Sequence, residues 1–219
     1  MHGLLEQPRG VLRLSVDAEI GSRLVAPVIA DYSQLFPDVR IEIDLSARRI
    51  DLVNENFDLA VRIGSLPDSR LRVRRLATLR GKLYAAPSYL EQAGTPSHPR
   101  ELHDHRRIHL LHQADQGEWY LTNISKAERH VVAANCPITA NNMAMVRKLA
   151  ELGLGIAVLD ETMASRGIAS GTLLAVLSQW GLPGVPLSVI TPDRYVPTKT
   201  RLFVSMLADR ISGSVGLTE

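Results

Sequence analysis

The chain has 219 residues, 45% hydrophobic and 22% charged, with a net charge of +2, which suits a globular protein of two lobes or two small domains. Aromatics at 5%, and Lys and Arg at 25 against Asp and Glu at 23, exclude a base-stacking single-strand reader and leave no basic block long enough for a nucleic-acid footprint. One cysteine, Cys136, excludes an internal disulfide framework; with no apolar run of signal-peptide or membrane-span length, the expected location is the cytoplasm.

In chain order, Gly10–Val16 reads as a strand, and Leu24, Val25, Val28, Ile29, Tyr32, Leu35 and Phe36 recur at helical spacing until Pro37 ends the helix. Val39–Leu45 alternates as a second strand with Val39, Ile41, Ile43 and Leu45 inward. "ARRIDLVNENF" reads as a short helix and Asp58–Ile63 as a third strand, stopping at Gly64. Strand, helix, strand, helix, strand implies a parallel sheet of βαβ units. Beyond Pro67, "LRVRRLATLRGKLYAAP" is extended, a helix starts at Pro87, and Gly94 to Arg107 is loop-like. The strands "RIHLLH", "RHVVAA" and "CPITA" follow, the last holding Cys136 as a small buried hydrophobe. An amphipathic helix in "NMAMVRKLAELGLG" then leads to the strand "GIAVLD", a short helix, the strand "VPLSVITP" and a closing helix in "TKTRLFVSMLADRIS".

The first three strands pair naturally with the last strand and helix, which makes the middle of the chain an insertion. The expected fold is α/β, two Rossmann-like lobes around a cleft: residues 10–82 and 186–219 form lobe I, and 83–185 lobe II. Ligands commonly occupy such clefts, and hinge closure is available there.

Chemistry-bearing motifs are scarce. "GLGIAV" has Gly-x-Gly, but Val158 replaces the third glycine and the glycines leave a helix to enter a strand, the reverse of a phosphate loop; Gly153 reads as a helix C-cap. His103, His105, His109 and His112 cluster in "HDHRRIHLLH", yet His109 and His112 point oppositely on a strand and no cysteine completes a zinc set, so no metal is expected. There is no Gly-x-Ser-x-Gly elbow, and Asp58, Asp160 and Glu161 sit where capping explains them, so neither catalysis nor a cofactor is indicated.

Three loops instead stand where strands meet helices. "SVDAEIGSR" follows the first strand and offers Asp17, Ala18 and Ser22, with backbone N–H groups that could receive an anion. "RIG" places Arg62, Ile63 and Gly64 at the end of the third strand. "ITANNM" brings Thr139, Asn141 and Asn142 to a helix start, where they can cap the helix and donate to a ligand. Ordinary capping explains each loop alone; strand C-terminal ends form the binding edge of a parallel sheet.

The ordered set "QPRGVLRLSV", "LVAPVIADYSQLFPDVRIEIDL", "FDLAVRIGSLPDSRL", "LYAAPSYLEQAGTPSHPREL", "KLAELGLGIAVLD" and "GTLLAVLSQW" resembles the effector-binding part of LysR-type transcriptional regulators, from about Gln7 onward. The resemblance implies a type 2 periplasmic-binding-protein-like fold with a small effector held between the lobes and no enzymatic activity. It also implies a homodimer through regulatory domains, a tetramer in the full-length protein, DNA contact only through a separate N-terminal winged helix-turn-helix, and no membrane. Residues 1–9 then match the tail of a linker helix or an added start. Position by position, Asp17 to Ser22, Arg62 to Gly64 and Thr139 to Asn142 match segments that line the effector cleft. Two departures stand out: "HDHRRI" where the family often has "HDC" and an apolar residue, and Asp160 where "GIAVLP" would end in proline. Arg62 and the helix-terminus loops make an organic acid the expected effector, with Arg62 meeting its carboxylate or holding Asp58 or Asp17. The competing readings are an extracytoplasmic solute-binding protein of the same fold, an enzyme of two α/β lobes, and a domain that mainly dimerises with its cleft filled by side chains.

Overall fold

The computed structural model describes residues 7–46, 48, 50–64, 71–111, 117–126, 128–133, 136–192 and 196–213. The chain divides into two units, Met1–Thr78 with Val185–Glu219, and Leu79–Gly184.

Alternation in β1 (Gly10–Val16) buries Leu12, Leu14 and Val16 completely. β1 is flanked in parallel by β2 (Val39–Leu45) and β3 (Leu59–Ile63), with Leu14 opposite both Ile43 and Leu59. β13 (Val185–Pro192) runs antiparallel to β3, and β4 (Leu71–Leu79) completes the order β2-β1-β3-β13-β4. Helical structure begins earlier than the periodicity suggests: Asp17 caps α1 (Ala18–Ile20), a π-helical turn spans Gly21–Val25, and α2 runs Ala26–Leu35. Pro27 therefore lies well inside a continuous helical run. The wider turn just before it fits a residue that brings no N–H to an α-helical ladder. α2 packs on α6 (Thr198–Ser212) through Tyr32 and Phe203, whose rings meet edge-on at 5.3 Å. Elsewhere in this unit Leu52, Ala60 and Ile190 cluster with Ile50, Phe57 and Leu71.

The second unit has a five-stranded sheet ordered β11-β5-β10-β6-β9. Its strands are β5 (Gly81–Ala85), β6 (Arg107–Leu110), β9 (Ile138–Ala140), β10 (Ile156–Asp160) and β11 (Leu174–Val176). β10, β6 and β9 are parallel; β5 runs antiparallel to β10 and β11. Both faces are covered, which is why "GIAVLD" is nearly all apolar. Tyr84, Ile108, Ala157 and Leu159 pack with Val146 and Ala150 of α4 (Met143–Glu151) and Met163 and Ala164 of α5 (Glu161–Ala169). Leu83, Ala85 and Ile156 pack with Tyr89 and Leu90 of α3 (Pro87–Ala93) and with a second, antiparallel sheet. That sheet is ordered β12-β7-β8, from β7 (Trp119–Asn123), β8 (Arg129–Val132) and β12 (Trp180–Gly181).

Three expectations need correction. "ARRIDLVNENF" is no helix among its described residues: residues 52–56 are turns, with the Asp51 carboxylate accepting from the N–H groups of Val53 and Asn54. Ile43 and Leu45 are exposed because β2 is an edge strand. Cys136 lies ahead of β9 and is half-buried, not a core side chain.

Candidate functional site

The parallel strands β1, β2 and β3 end at Val16, Leu45 and Ile63, so Asp17, Ser46 and Gly64 follow on one edge of the first unit's sheet. Arg62 organises that edge. Its Nη1 donates to the carbonyl oxygens of Ser15 (3.0 Å) and Val61 (2.9 Å), and its Nη2 to Ser15 Oγ (2.7 Å) and the Arg48 carbonyl (3.3 Å). Ser15, with no exposed surface, donates onward to the Asp44 carboxylate at 3.0 Å. The guanidinium is thus held by neutral oxygens. Burial pulls its pKa down, while Asp44 and Asp17 hold it up.

Of the two carboxylates named as partners for Arg62, neither takes its hydrogen bonds. Asp58 accepts from the Arg13 N–H (2.9 Å) and Lys199 Nζ (2.8 Å). Asp17 Oδ1 accepts from the N–H groups of Glu19 (2.9 Å) and Ile20 (3.4 Å), so the helix start offered to an anion is already occupied by its own cap. Ala18 is half-buried; its carbonyl accepts from the exposed Ser22 Oγ at 2.6 Å. Ile63 is half-buried and pairs with Leu187 across β13. Gly64 has φ +101°, an added Cβ there would meet nothing within 4 Å, and its N–H donates to the Pro186 carbonyl at 2.9 Å. The glycine answers a left-handed turn and not a close approach of backbone.

On the first unit's surface, Arg13, Glu42, Ile43, Asp44, Glu55 and Phe57 line an open pocket of about 280 Å³. Its charges are paired at the wall: Arg13 Nε to Glu42 at 2.7 Å, and Arg48 Nη1 to Glu55 at 3.0 Å.

In the second unit the parallel strands β6, β9 and β10 end at Leu110, Ala140 and Asp160. Thr139 is exposed on β9, and Asn141 is exposed just beyond it. Asn142 caps α4, its Oδ1 accepting from the Met145 N–H at 3.0 Å; its Nδ2 has no hydrogen-bond partner among the described residues. Asp160 caps α5 through the N–H groups of Thr162 and Met163, both at 3.0 Å, which accounts for a carboxylate where the family pattern has proline.

The histidines scatter. His109 is buried on β6 with Nδ1 accepting from Trp119 Nε1 at 3.4 Å, His105 Nδ1 meets Tyr89 Oη at 3.1 Å, and His103 is exposed. His112 lies outside the described residues. No three His, Cys, Asp or Glu side chains among the described residues gather as a metal would require.

Sequence reasoning misses Ser15, Asp44 and the Arg48 carbonyl. Ser15 shares strand parity with Arg13 and Asp44 with Glu42, a signal of one polar face. The cross-strand register that joins Ser15 to Asp44 is tertiary information.

Against known proteins, the family model described as the LysR substrate binding domain matches residues 5–212. An HTH-type transcriptional regulator of Xanthomonas campestris pv. campestris (strain 8004) is 33% identical over 210 residues, covering 94% of this chain and 60% of that protein. The chain thus spans less than two thirds of that regulator. CrgA, a LysR-type transcriptional regulator from Neisseria meningitidis, superposes with a TM-score of 0.83 at 27% identity, over 96% of this chain and 71% of CrgA. The full-length Vibrio cholerae virulence activator AphB superposes with a TM-score of 0.81 at 27% identity, over 93% of this chain and 69% of that one. Two α/β units with parallel-strand edges, matched along nearly their whole length by regulatory proteins, leave one assignment: this chain belongs to the LysR substrate-binding domain family and has the periplasmic-binding-protein-like fold of LysR-type regulatory domains.

Proposed function

We propose that this domain binds a small metabolite through two sets of loops, Asp17, Ala18, Ser22, Arg62, Ile63 and Gly64 on the first unit and Thr139, Asn141 and Asn142 on the second. The binding free energy shifts the populations of the domain's conformations, and in a whole regulator that shift is passed to dimer and tetramer assembly and to DNA. The observation that carries the reading is that these segments follow C-terminal ends of parallel strands in both units, the binding edge of α/β sheets.

The effector class we put first is an organic acid. Arg62 supports it as a source of positive field and not as a bidentate fork, because its four Nη hydrogen bonds go to the protein's own neutral oxygens. Asp17 and Asp44 partly offset that field, so Asn142 Nδ2 and Thr139 Oγ1 are the direct donors in this reading.

Thermal unfolding against a library of organic acids, amines and sugars tests it. Binding to the folded state alone adds about 2.7 kcal/mol at a hundredfold excess over Kd and raises Tm. Carboxylates that raise Tm, with the shift cut at least tenfold in apparent affinity by Asn142→Ala, are the expected result. Hits confined to amines or sugars overturn the acid assignment, and hits insensitive to every residue above overturn the site.

A further inference from the structure

The sheet β12-β7-β8 meets the 3₁₀ helix Pro99–His103 across a group of titratable side chains that the effector reading does not use. His98 caps that helix, its Nδ1 accepting from the Arg100 N–H at 3.1 Å. That bond fixes the neutral tautomer with the proton on Nε2, which is the wrong form for metal ligation through Nε2. The His98 ring meets the His130 ring of β8 at 5.8 Å and the Trp180 indole of β12 at 5.7 Å, both edge-on. His130 Nε2 is closed off from solvent and has no hydrogen-bond partner among the described residues.

The charges facing this pair are unbalanced. Arg100 and His103 approach from the 3₁₀ helix; Glu128, at 3.8 Å from His98 Nε2, is the nearest anion. Glu101 on the same helix accepts from the Ser97 N–H and Oγ at 2.9 and 2.7 Å and also feels the His98 ring electrostatically, but does not act on His130. Leu121 of β7 stands opposite His130 and offers no charge. His105 follows the helix but is engaged with Tyr89.

We propose that His98 and His130 form an acid-sensitive latch: their edge-on rings hold the 3₁₀ helix against β8, and a proton on His130 opens that contact and loosens the edge strand. Protonated His130 is a half-buried cation, its Nε2 shut off from solvent, facing Arg100 and two imidazoles with one carboxylate to answer them. Burial first, then His98, Arg100 and His103, lower the His130 pKa against the opposing pull of Glu128. A histidine lowered in the fold contributes stability that is complete above its unfolded value, declines as pH falls below that value, and is gone below the folded one.

Amide hydrogen exchange on the intact chain tests the latch. Between about pH 7.5 and about pH 5.5, after correction for intrinsic chemistry, residues 100–103 and 129–132 are expected to lose about tenfold in protection while β1 and β10 hold. A His98→Asn, His130→Phe double variant keeps an acceptor for the Arg100 N–H and an edge-on ring but cannot titrate, and should keep its protection at the lower pH. Equal wild-type protection at both pH values overturns the proposal, as does loss of protection in the double variant matching wild type. Should that variant fail to fold, NMR titration of the wild-type histidine Cε1 protons decides. A His130 titration that coincides with the exchange change supports the latch, and one that runs independently of it refutes it.

Discussion

Arg62 and Ser15 are joined twice, guanidinium to carbonyl at 3.0 Å and guanidinium to hydroxyl at 2.7 Å, and the hydroxyl hands the contact on to Asp44. One side chain therefore fastens β3 to β1, and through Arg48 O to the segment after β2. Arg62→Ala should cost about 2–3 kcal/mol in urea unfolding, the scale of losing hydrogen bonds from a charged group and leaving their acceptors unpaired. Arg62→Lys keeps the charge but not the fork and should recover less than half of that. If Arg62→Ala leaves stability unchanged while abolishing effector binding, Arg62 is a direct contact and the fastening role is wrong.

Lys199 in α6 pairs with Asp58 at 2.8 Å and also donates to the Val11 carbonyl, with side-chain exposures of 15% for the lysine and 19% for the aspartate. Its own carbonyl accepts from Tyr32 Oη at 2.9 Å. Lys199→Met should lower stability by about 2 kcal/mol, between exposed and fully buried pairs. Tyr32→Phe should cost about 1 kcal/mol by removing one bond. The Tyr32 hydroxyl, pushed up to about 12 by burial and then by Asp58, should not ionise in a spectrophotometric titration until well above pH 10.

Tyr89 Oη accepts from the Arg106 N–H at 2.8 Å and lies in hydrogen-bond contact with His105 Nδ1 at 3.1 Å. Burial lowers the His105 pKa, against Glu101 and Asp104. Its share of stability is present above the unfolded histidine value and declines as pH falls below it, until the lowered folded value is passed. Tyr89→Phe should flatten that slope in unfolding curves taken across about pH 5 to 8. A slope unaltered by Tyr89→Phe removes this pair from the account.

α4 closes in a Schellman motif: Leu154 N–H donates to the Leu149 carbonyl at 3.2 Å and Gly153 N–H to Ala150 at 3.0 Å, with Gly153 at φ +77°. A Cβ at Gly153 would also come within 2.8 Å of Ser88 Oγ. Gly153→Ala should cost about 1–2 kcal/mol, and Ser88→Ala in the same chain should return part of it.

Much of this architecture is legible in the residues. β1, α4 and β10 follow from their apolar patterning, helical spacing and the Gly153 cap, whereas β3 does not alternate: Leu59, Ala60 and Val61 are all buried. The sequence misreads β2, since Ile43 and Leu45 alternate correctly but sit at 47% and 59% exposure on an edge, and edge position is a property of sheet order. Ile50, Val53 and Phe57 stand at a spacing that suits a helix, but Asp51 captures the next N–H groups and Asn56 enters φ 58°. β7 escapes notice because only Trp119 and Leu121 mark its inward face, between exposed Tyr120 and polar Thr122 and Asn123. At the site, residue types mark the right edges, whereas whose hydrogen bonds Arg62 uses is settled by partners up to 47 residues away.

β4 and β13 belong to one sheet, yet all of the second unit is threaded between them. During synthesis the second unit is therefore complete before β13 and α6 exist, and at about 5–20 residues per second β3 waits roughly 6–26 s for its β13 neighbour. The early elements spend that interval with Ile63, Val61 and Tyr32 uncovered by Leu187, Val189 and Phe203. Truncations that stop short of Val185 should yield a folded second unit and an aggregation-prone first one, so the biogenesis of this domain is polarised toward its middle.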